Sequence, residues 1–391
     1  MRVLVVTSTN NGGILRHATQ VSDKMATKTD NCRILLPSDG DFETDSLRST
    51  VRFVPSGLLS DTESGSPLLL VWQFCVYFVY MLFHVRSSRP DVVYCAEWFP
   101  CAVISKVLEP FFSHRTAVVA HGAEVVFLED DSKYKRLMKP VQRRVLNASL
   151  VFAVSEYTAD QLRDNGVRDI TLCYNGIDLA HRESENSVQV DDENEPVRTA
   201  LSEAAAHPTL LTVSRLQRYK GQDKVIECLP QLAEEFPDLR YVVVGKGEDM
   251  EYMKSVADEH GVSDRVIFTG FVADELVTRL YELADIYVMP TRIHTKGLEG
   301  FGISFLEAYA TKTPVIGPTV GGPRSAVIDG ETGLLVNPDN TDEIEAAIRD
   351  LLSDEKKRAR LGDRGYEELH GRFSWDAVSD LLLDRFTAHA R

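Results

Sequence analysis

The feature that most constrains this chain is an alternation of short apolar runs with stretches of helix length, played through twice. The first series is Val3–Val6, Arg33–Leu36, Asp91–Tyr94, Ala117–Ala120 and Leu150–Val154. The second is Leu210–Val213, Arg240–Val244, Val266–Thr269, Ile286–Met289, Pro314–Ile316 and Gly333–Val336. Runs that are apolar on consecutive residues suit strands buried on both faces, which is the condition of a parallel sheet covered by helices. Parallel neighbours need a crossover, and the intervening helical stretches supply it. The chain is therefore expected to be α/β, with two Rossmann-like parallel-sheet domains. Its 391 residues are too many for one ordinary core. Between the two series, Glu183–Pro196 is acidic and poor in large apolar residues, so it reads as a linker. The expected division is a first domain over 1–185, a linker over 186–196, and a second domain over 197–373. The tail, 374–391, has helical spacing at Trp375, Val378, Leu381, Leu382 and Phe386.

Charge and cysteine usage narrow the function. The formal net charge is −16, which disfavours a nucleic-acid partner, because phosphate binding needs a positive field. Six cysteines are scattered without a C-x-x-C pair, against a zinc site or a disulfide framework and in favour of a reducing compartment. The apolar run at the N-terminus is of strand length, too short for a signal-peptide core. A cytoplasmic location is the expectation.

Two groups of residues carry candidate chemistry. After Leu210–Val213 come Arg215 and Lys220, five residues apart in the loop before a helix. Two cations at a strand's carboxyl end, beside a helix N-terminus, suit a diphosphate. On spacing alone two solvated surface cations are an equally good reading. Further on, Glu299-Gly300-Phe301-Gly302-Ile303-Ser304-Phe305-Leu306-Glu307 brackets a Gly-x-Gly turn with two glutamates. If a helix starts near Ile303, its free N–H groups suit a leaving phosphate, Glu307 lies one turn in, and Glu299 stands on the preceding loop. In the first domain, Asn10-Asn11-Gly12-Gly13 follows the first strand and precedes a helix expected over Ile14–Met25. It is not G-x-G-x-x-G, which disfavours a nicotinamide dehydrogenase.

These motifs, in this order, resemble retaining glycosyltransferases of family 4. The resemblance rests on Val213-Ser214-Arg215-Leu216 with Lys220-Gly221-Gln222-Asp223, on Ala284–Arg292, and on the Glu299–Glu307 block with Ala308-Tyr309-Ala310. It continues through Pro314–Ile316, Gly321-Gly322, Ala326-Val327, Asp329-Gly330 and Thr332-Gly333, and includes Asn175-Gly176-Ile177-Asp178. It covers nearly all of the second domain and is thinner in the first, at Gly12-Gly13 and His121-Gly122-Ala123-Glu124. Within the family the motifs look closest to PimB-type mannosyltransferases. Ser214 and Thr311-Lys312 depart from the residues that many relatives carry.

The resemblance implies a GT-B fold, with two domains facing across a cleft and a C-terminal helix crossing back to the first. It implies transfer of a hexose from a nucleotide-sugar, GDP-mannose favoured and UDP-hexose possible, onto a hydroxyl of a lipid or glycan acceptor, with retention and with neither metal nor other cofactor. Arg215 and Lys220 would hold the diphosphate, as loop cations outside the core. Glu307 would bind the ribose, and Glu299 with the backbone at Phe301, Gly302 and Ile303 would orient the sugar. Gly12 and Gly13 would admit the donor phosphate, His121 would lie near the sugar, and Gly245, Lys246 and Val272 would flank the nucleoside. Two other classes fit such a fold: a sugar-nucleotide epimerase or phosphorylase, and an inactive nucleotide-sugar-binding subunit. Intact Arg215, Lys220, Glu299 and Glu307 speak against the second.

One stretch stands apart. Leu68–Val85 is almost wholly apolar, and Lys133, Lys135, Arg136, Lys139, Arg143 and Arg144 cluster further on. An apolar helix beside a basic cluster suits an anionic membrane surface. The plainer reading is a core helix and a solvated helix face.

Overall fold

The structure, a computed structural model, describes residues 1–10, 12–38, 47–55, 67–122, 133–177, 195–294 and 299–389, with backbone alone at 67–70 and 133–137. The chain divides into two compact units. One comprises Met1–Gly176 with Trp375–Arg391, the other Ile177–Ser374.

The first unit holds seven parallel strands: β1 Arg2–Val6, β2 Asn31–Pro37, β3 Thr50–Val54, β4 Val92–Cys95, β5 Arg115–Ala120, β6 Leu150–Ala153 and β7 Ile170–Leu172. Their order is β3-β2-β1-β4-β5-β6-β7, so the direction of winding reverses between β1 and β4. Helix α1, Gly12–Ala26, follows β1 and buries Leu15, Ala18, Val21 and Met25, an i, i+3, i+4 stripe. Helix α2, Pro67–Ser88, buries Tyr77, Met81 and Val85 in the core on one side of the sheet, with Leu4, Val6, Leu35 and Val93. Helices α3 (Val103–Phe112), α4 (Lys133–Asn147) and α5 (Glu156–Asp164) complete the wrapping. Helix α6, Glu195–Ala206, opens the described part of the second unit, so helix already occupies the last two positions of the expected linker. The rest of that linker lies outside the described residues.

The second unit has six parallel strands: β8 Thr209–Val213, β9 Arg240–Val244, β10 Val266–Gly270, β11 Ile286–Val288, β12 Val315–Pro318 and β13 Gly333–Val336. The order β10-β9-β8-β11-β12-β13 places the reversal between β8 and β11. Helices α7 (Gln222–Glu235), α8 (Met250–Glu259), α9 (Asp274–Leu283), α10 (Ile303–Ala310), α11 (Thr341–Ser353) and α12 (Glu355–Arg372) cover the sheet. In open sheets of this kind ligands bind beyond the strands' carboxyl ends at the reversal, so the loops after β8 and β11 are where chemistry is expected.

The tail forms α13, Trp375–His389, and belongs to the first unit. Its apolar residues Trp375, Val378, Leu382 and Phe386 are buried, and Phe386 packs on Tyr94 and Phe152. Lys28 on the turn after α1 binds Asp380 at 2.8 Å and Asp376 at 3.3 Å. The crossover helix is thus held by an apolar seam with an ionic margin.

Candidate active site

The loop after β8 carries Arg215 into solvent and turns Lys220 inward. Arg215 is exposed, and among the described residues no carboxylate pairs with it. Lys220 closes a tight turn, Arg218–Lys220, and is buried. The turn must end on glycine: Gly221 has φ +85°, and a Cβ there would strike the Pro290 carbonyl oxygen. Asp223, in the first turn of α7, accepts twice from Arg292 Nη2, at 2.7 and 2.8 Å. The Arg292 backbone N–H donates to the Tyr219 carbonyl at 2.7 Å. The loops after β8 and β11 are thereby fastened together across the reversal point.

The Lys220 ammonium donates to Glu299 Oε2, and Glu299 Oε1 accepts from the Gly302 N–H at 3.1 Å. Burial opposes ionisation of Glu299, but Lys220 and the N–H groups of Gly302 and Phe301 outweigh it and hold the carboxyl below its ordinary pKa. Gly302 is the left-handed residue from which α10 starts, with φ +86°, and a Cβ there would come within 2.8 Å of the Phe305 ring. Glu307 sits one turn into α10, half-buried, and accepts from the Tyr281 hydroxyl at 3.2 Å. Ser304 Oγ accepts from the Tyr287 hydroxyl at 2.7 Å, which seats the first turn of α10 on the sheet.

The structure brings together Arg215, Lys220, Glu299, Phe301, Gly302, Ile303 and Glu307 at the β8–β11 reversal. It corrects one expectation: Lys220 is no free loop cation. Its side chain is 10% exposed and paired with Glu299. Neighbouring loops add the other candidates. The Gly245 N–H donates to Gly270 O at 2.8 Å, and Lys246 accepts from Leu216 N–H through its carbonyl at 3.0 Å while its side chain is exposed. Val272 is buried, so its main chain is what it offers, and the exposed apolar side chain of that loop is Phe271. Ser214, the departure noted in the sequence, accepts from Gln222 Nε2 at 2.8 Å and braces the loop. Among the described residues no three His, Cys, Asp or Glu side chains gather as metal ligands would.

The first unit's own reversal point, between β1 and β4, holds a residue that the sequence reading missed. Glu97, just past β4, is buried and accepts from Thr7 Oγ1 at 3.0 Å, from the Ser8 backbone N–H, and from Cys101 Sγ at 3.1 Å. Burial raises its pKa, against the three donors. Glu97 therefore anchors the start of the loop that leads to Gly12 and Gly13, both exposed at the head of α1. No local signal sets this acid apart, because its partners Thr7 and Ser8 reach it only through the pairing of β1 with β4. His121 follows β5, half-buried, with burial and then His17 pushing its pKa well below the ordinary histidine value. Ala123, Glu124, Asp178, Gly297 and Leu298 lie outside the described residues.

Two parallel-sheet Rossmann-like units, one with a helix terminus and two cations at its sheet reversal, are the architecture of the GT-B glycosyltransferase fold. Residues 11–181 match the family model "Glycosyltransferase Family 4", and residues 194–368 match "Glycosyl transferases group 1". The chain belongs to family 4 of the glycosyltransferases. A GDP-mannose-dependent alpha-(1-6)-phosphatidylinositol monomannoside mannosyltransferase of Mycobacterium tuberculosis is 31% identical over 300 residues, 73% of this chain and 74% of that one. A monoacylated-substrate counterpart from Corynebacterium glutamicum is 31% identical over 311 residues, 78% and 79% of the two chains. The fold is shared with Anabaena HepE crystallised with UDP and glucose, at TM-score 0.74 and 20% identity over 99% of this chain and 100% of that one. It is shared also with a sucrose-phosphate synthase of Thermosynechococcus elongatus, at TM-score 0.78 and 21% identity over 99% and 98%.

Proposed function

We propose that the chain is a retaining, metal-independent mannosyltransferase that moves mannose from GDP-mannose to a hydroxyl of a phosphoinositide-type lipid at the cytoplasmic membrane surface. The carrying observation is the convergence of Arg215, Lys220 and the α10 N-terminus on the β8–β11 reversal point. The barrier in such a transfer is departure of a nucleoside diphosphate as the anomeric carbon gains positive charge. On this reading the two cations, with the N–H groups of the first turn of α10 that Glu299 does not take, act where negative charge develops on the leaving phosphate, so they favour the transition state over the ground state. Two cations so placed do what a divalent ion does elsewhere, which is the ground for metal independence. Glu307 is suited to ribose hydroxyls and Glu299 to those of the sugar. On this reading His121 and the Gly12-Gly13 loop, at the carboxyl ends of first-unit strands, serve the sugar and its phosphate. GDP-mannose is favoured because the two mannosyltransferase relatives use it.

The membrane assignment has its own support. Helix α2 leaves Val71, Trp72, Val79 and Phe83 exposed, each half or more, although it buries Tyr77 and Met81. On α4, Arg143 and Arg144 are exposed and Lys139 is half-buried; the side chains of Lys133, Lys135 and Arg136 are not described. No described helix is long and apolar enough to cross a membrane, and the attachment proposed is a peripheral one. Sedimentation with anionic but not zwitterionic vesicles, reversed in part by salt, is expected. The donor assignment is tested by thermal shift with GDP-mannose, GDP, UDP-glucose and UDP. A ligand that binds only the folded state at a hundred times its Kd adds about 2.7 kcal/mol, and the guanine pair should give the larger shifts. Larger shifts with the uracil pair would overturn the choice of donor.

A further inference from the structure

Helix α1 presents an apolar stripe to the first unit's core, and one member of the stripe is out of character. His17 is fully buried among Leu15, Ala18 and Val21. Two ring nitrogens are costly to bury without partners, and a leucine or phenylalanine would fill the same space. Both nitrogens are engaged. Nδ1 lies 2.9 Å from Asn175 Oδ1, and Nε2 lies 2.7 Å from the Tyr94 hydroxyl. An amide oxygen only accepts, so the proton sits on Nδ1, and Nε2 accepts from the tyrosine. The ring is thus neutral and locked in plane by two directional bonds, one to strand β4 and one to the segment after β7. Burial keeps it neutral: its pKa is pushed down to about 4.

The locked ring touches two others. Its centroid lies 4.9 Å from that of His121, edge to face at 83°, and 5.4 Å from that of Trp375, edge to face at 81°. Trp375 is buried and begins α13, and Gly176 lies so close that a Cβ there would come within 2.7 Å of the indole. His121 has therefore one face of its surroundings set by a ring that cannot rotate. Edge-to-face contacts have a preferred geometry, so a fixed partner transmits its own orientation.

We propose that His17 is a positioning residue for His121: held by Asn175 and Tyr94, its ring sets the orientation in which the His121 imidazole meets the transferred sugar. The proposal rests on the reading above that His121 serves the sugar. Tyr94→Phe and Asn175→Ala each free one nitrogen of His17 without touching His121. Each is expected to lower kcat for mannosyl transfer about tenfold and to leave the donor KM within twofold, since the diphosphate is held by Arg215 and Lys220. In a His121→Ala background neither should lower kcat further, because the group being positioned is gone. Equal losses in both backgrounds would mean general damage and overturn the proposal, as would full activity of both single variants. Histidine-labelled NMR supplies a readout free of turnover: the His121 ring resonances should move in Tyr94→Phe. If His121→Ala itself turns over like the wild type, the reading of His121 falls, and the NMR comparison alone judges the positioning. Unmoved resonances would then refute it.

Discussion

Removing the Lys220 ammonium should act on both stability and turnover, whereas removing Arg215 should act on turnover alone. Lys220→Met leaves Glu299 charged, at the head of α10, with its ammonium partner gone. Breaking a fully buried pair costs about 3–5 kcal/mol. The two side chains here are 10% and 22% exposed, and Gly302 still donates to the carboxylate, so about 2 kcal/mol is the better figure. For a unit the size of Ile177–Ser374 this lowers the midpoint of its calorimetric transition by roughly 4–8 °C. Arg215 is exposed and, among the described residues, unpaired by carboxylate, so Arg215→Ala should stay within about 0.5 kcal/mol of wild type. Adding Glu299→Gln to Lys220→Met should restore much of the lost stability, because the uncompensated charge is gone. Turnover should fall about a hundredfold or more in either single variant, the scale seen when one charge-stabilising donor is removed. Calorimetry and initial rates at saturating donor check both halves. An unchanged midpoint in Lys220→Met would refute the buried pair. Near-wild-type turnover in Arg215→Ala would refute the phosphate assignment.

Activity should persist in excess EDTA; complete loss, restored by magnesium or manganese, would show that the two cations do not suffice. Glu307→Gln should raise the donor KM several-fold through the ribose contact, while Glu299→Gln should mainly lower kcat, and the reverse pattern would exchange their roles. Acid should weaken the first unit through His17. Its pKa falls from 6.5 to about 4 on folding, so its contribution is complete above about pH 6.5 and is lost as pH drops toward 4. The full window amounts to about 3 kcal/mol. Burial depresses His121, His84 and His114 in the same direction, whereas the raised pKa of Glu97 opposes them. Urea midpoints of wild type and His17→Phe between pH 7 and 4.5 measure the His17 share; parallel curves would contradict it.

Most of the fold was legible because parallel strands buried on both faces leave unbroken β-branched runs. Eleven runs were read, and each coincides with a strand. The two strands that were not read are both edges. In β3, Arg52 and Phe53 are exposed, so no apolar run forms. In β7 three half-buried residues are too few to register. The cation loop and the α10 terminus were legible from local chemistry: glycines where the backbone needs φ > 0, and charges beside them. What depended on distant pairing was not. The Lys220–Glu299 bond joins residues 79 apart, and the His17–Asn175 bond residues 158 apart. Nothing local distinguishes Glu97 from a surface acid until β1 and β4 are placed side by side. Helix α2 was open to both a core and a surface reading, and it is both, with one buried and one exposed apolar side.

The central claim is tested most directly by following radiolabelled mannose from GDP-mannose into lipid. The purified full chain would be supplied with vesicles of phosphatidylinositol monomannoside in an anionic carrier. The account predicts label in the lipid fraction, GDP released in equal amount, an α-linkage in the product, and at least a hundredfold less label with Arg215→Ala. Label transferred from UDP-glucose instead, or release of mannose to water alone whatever lipid or glycan is supplied, would contradict it.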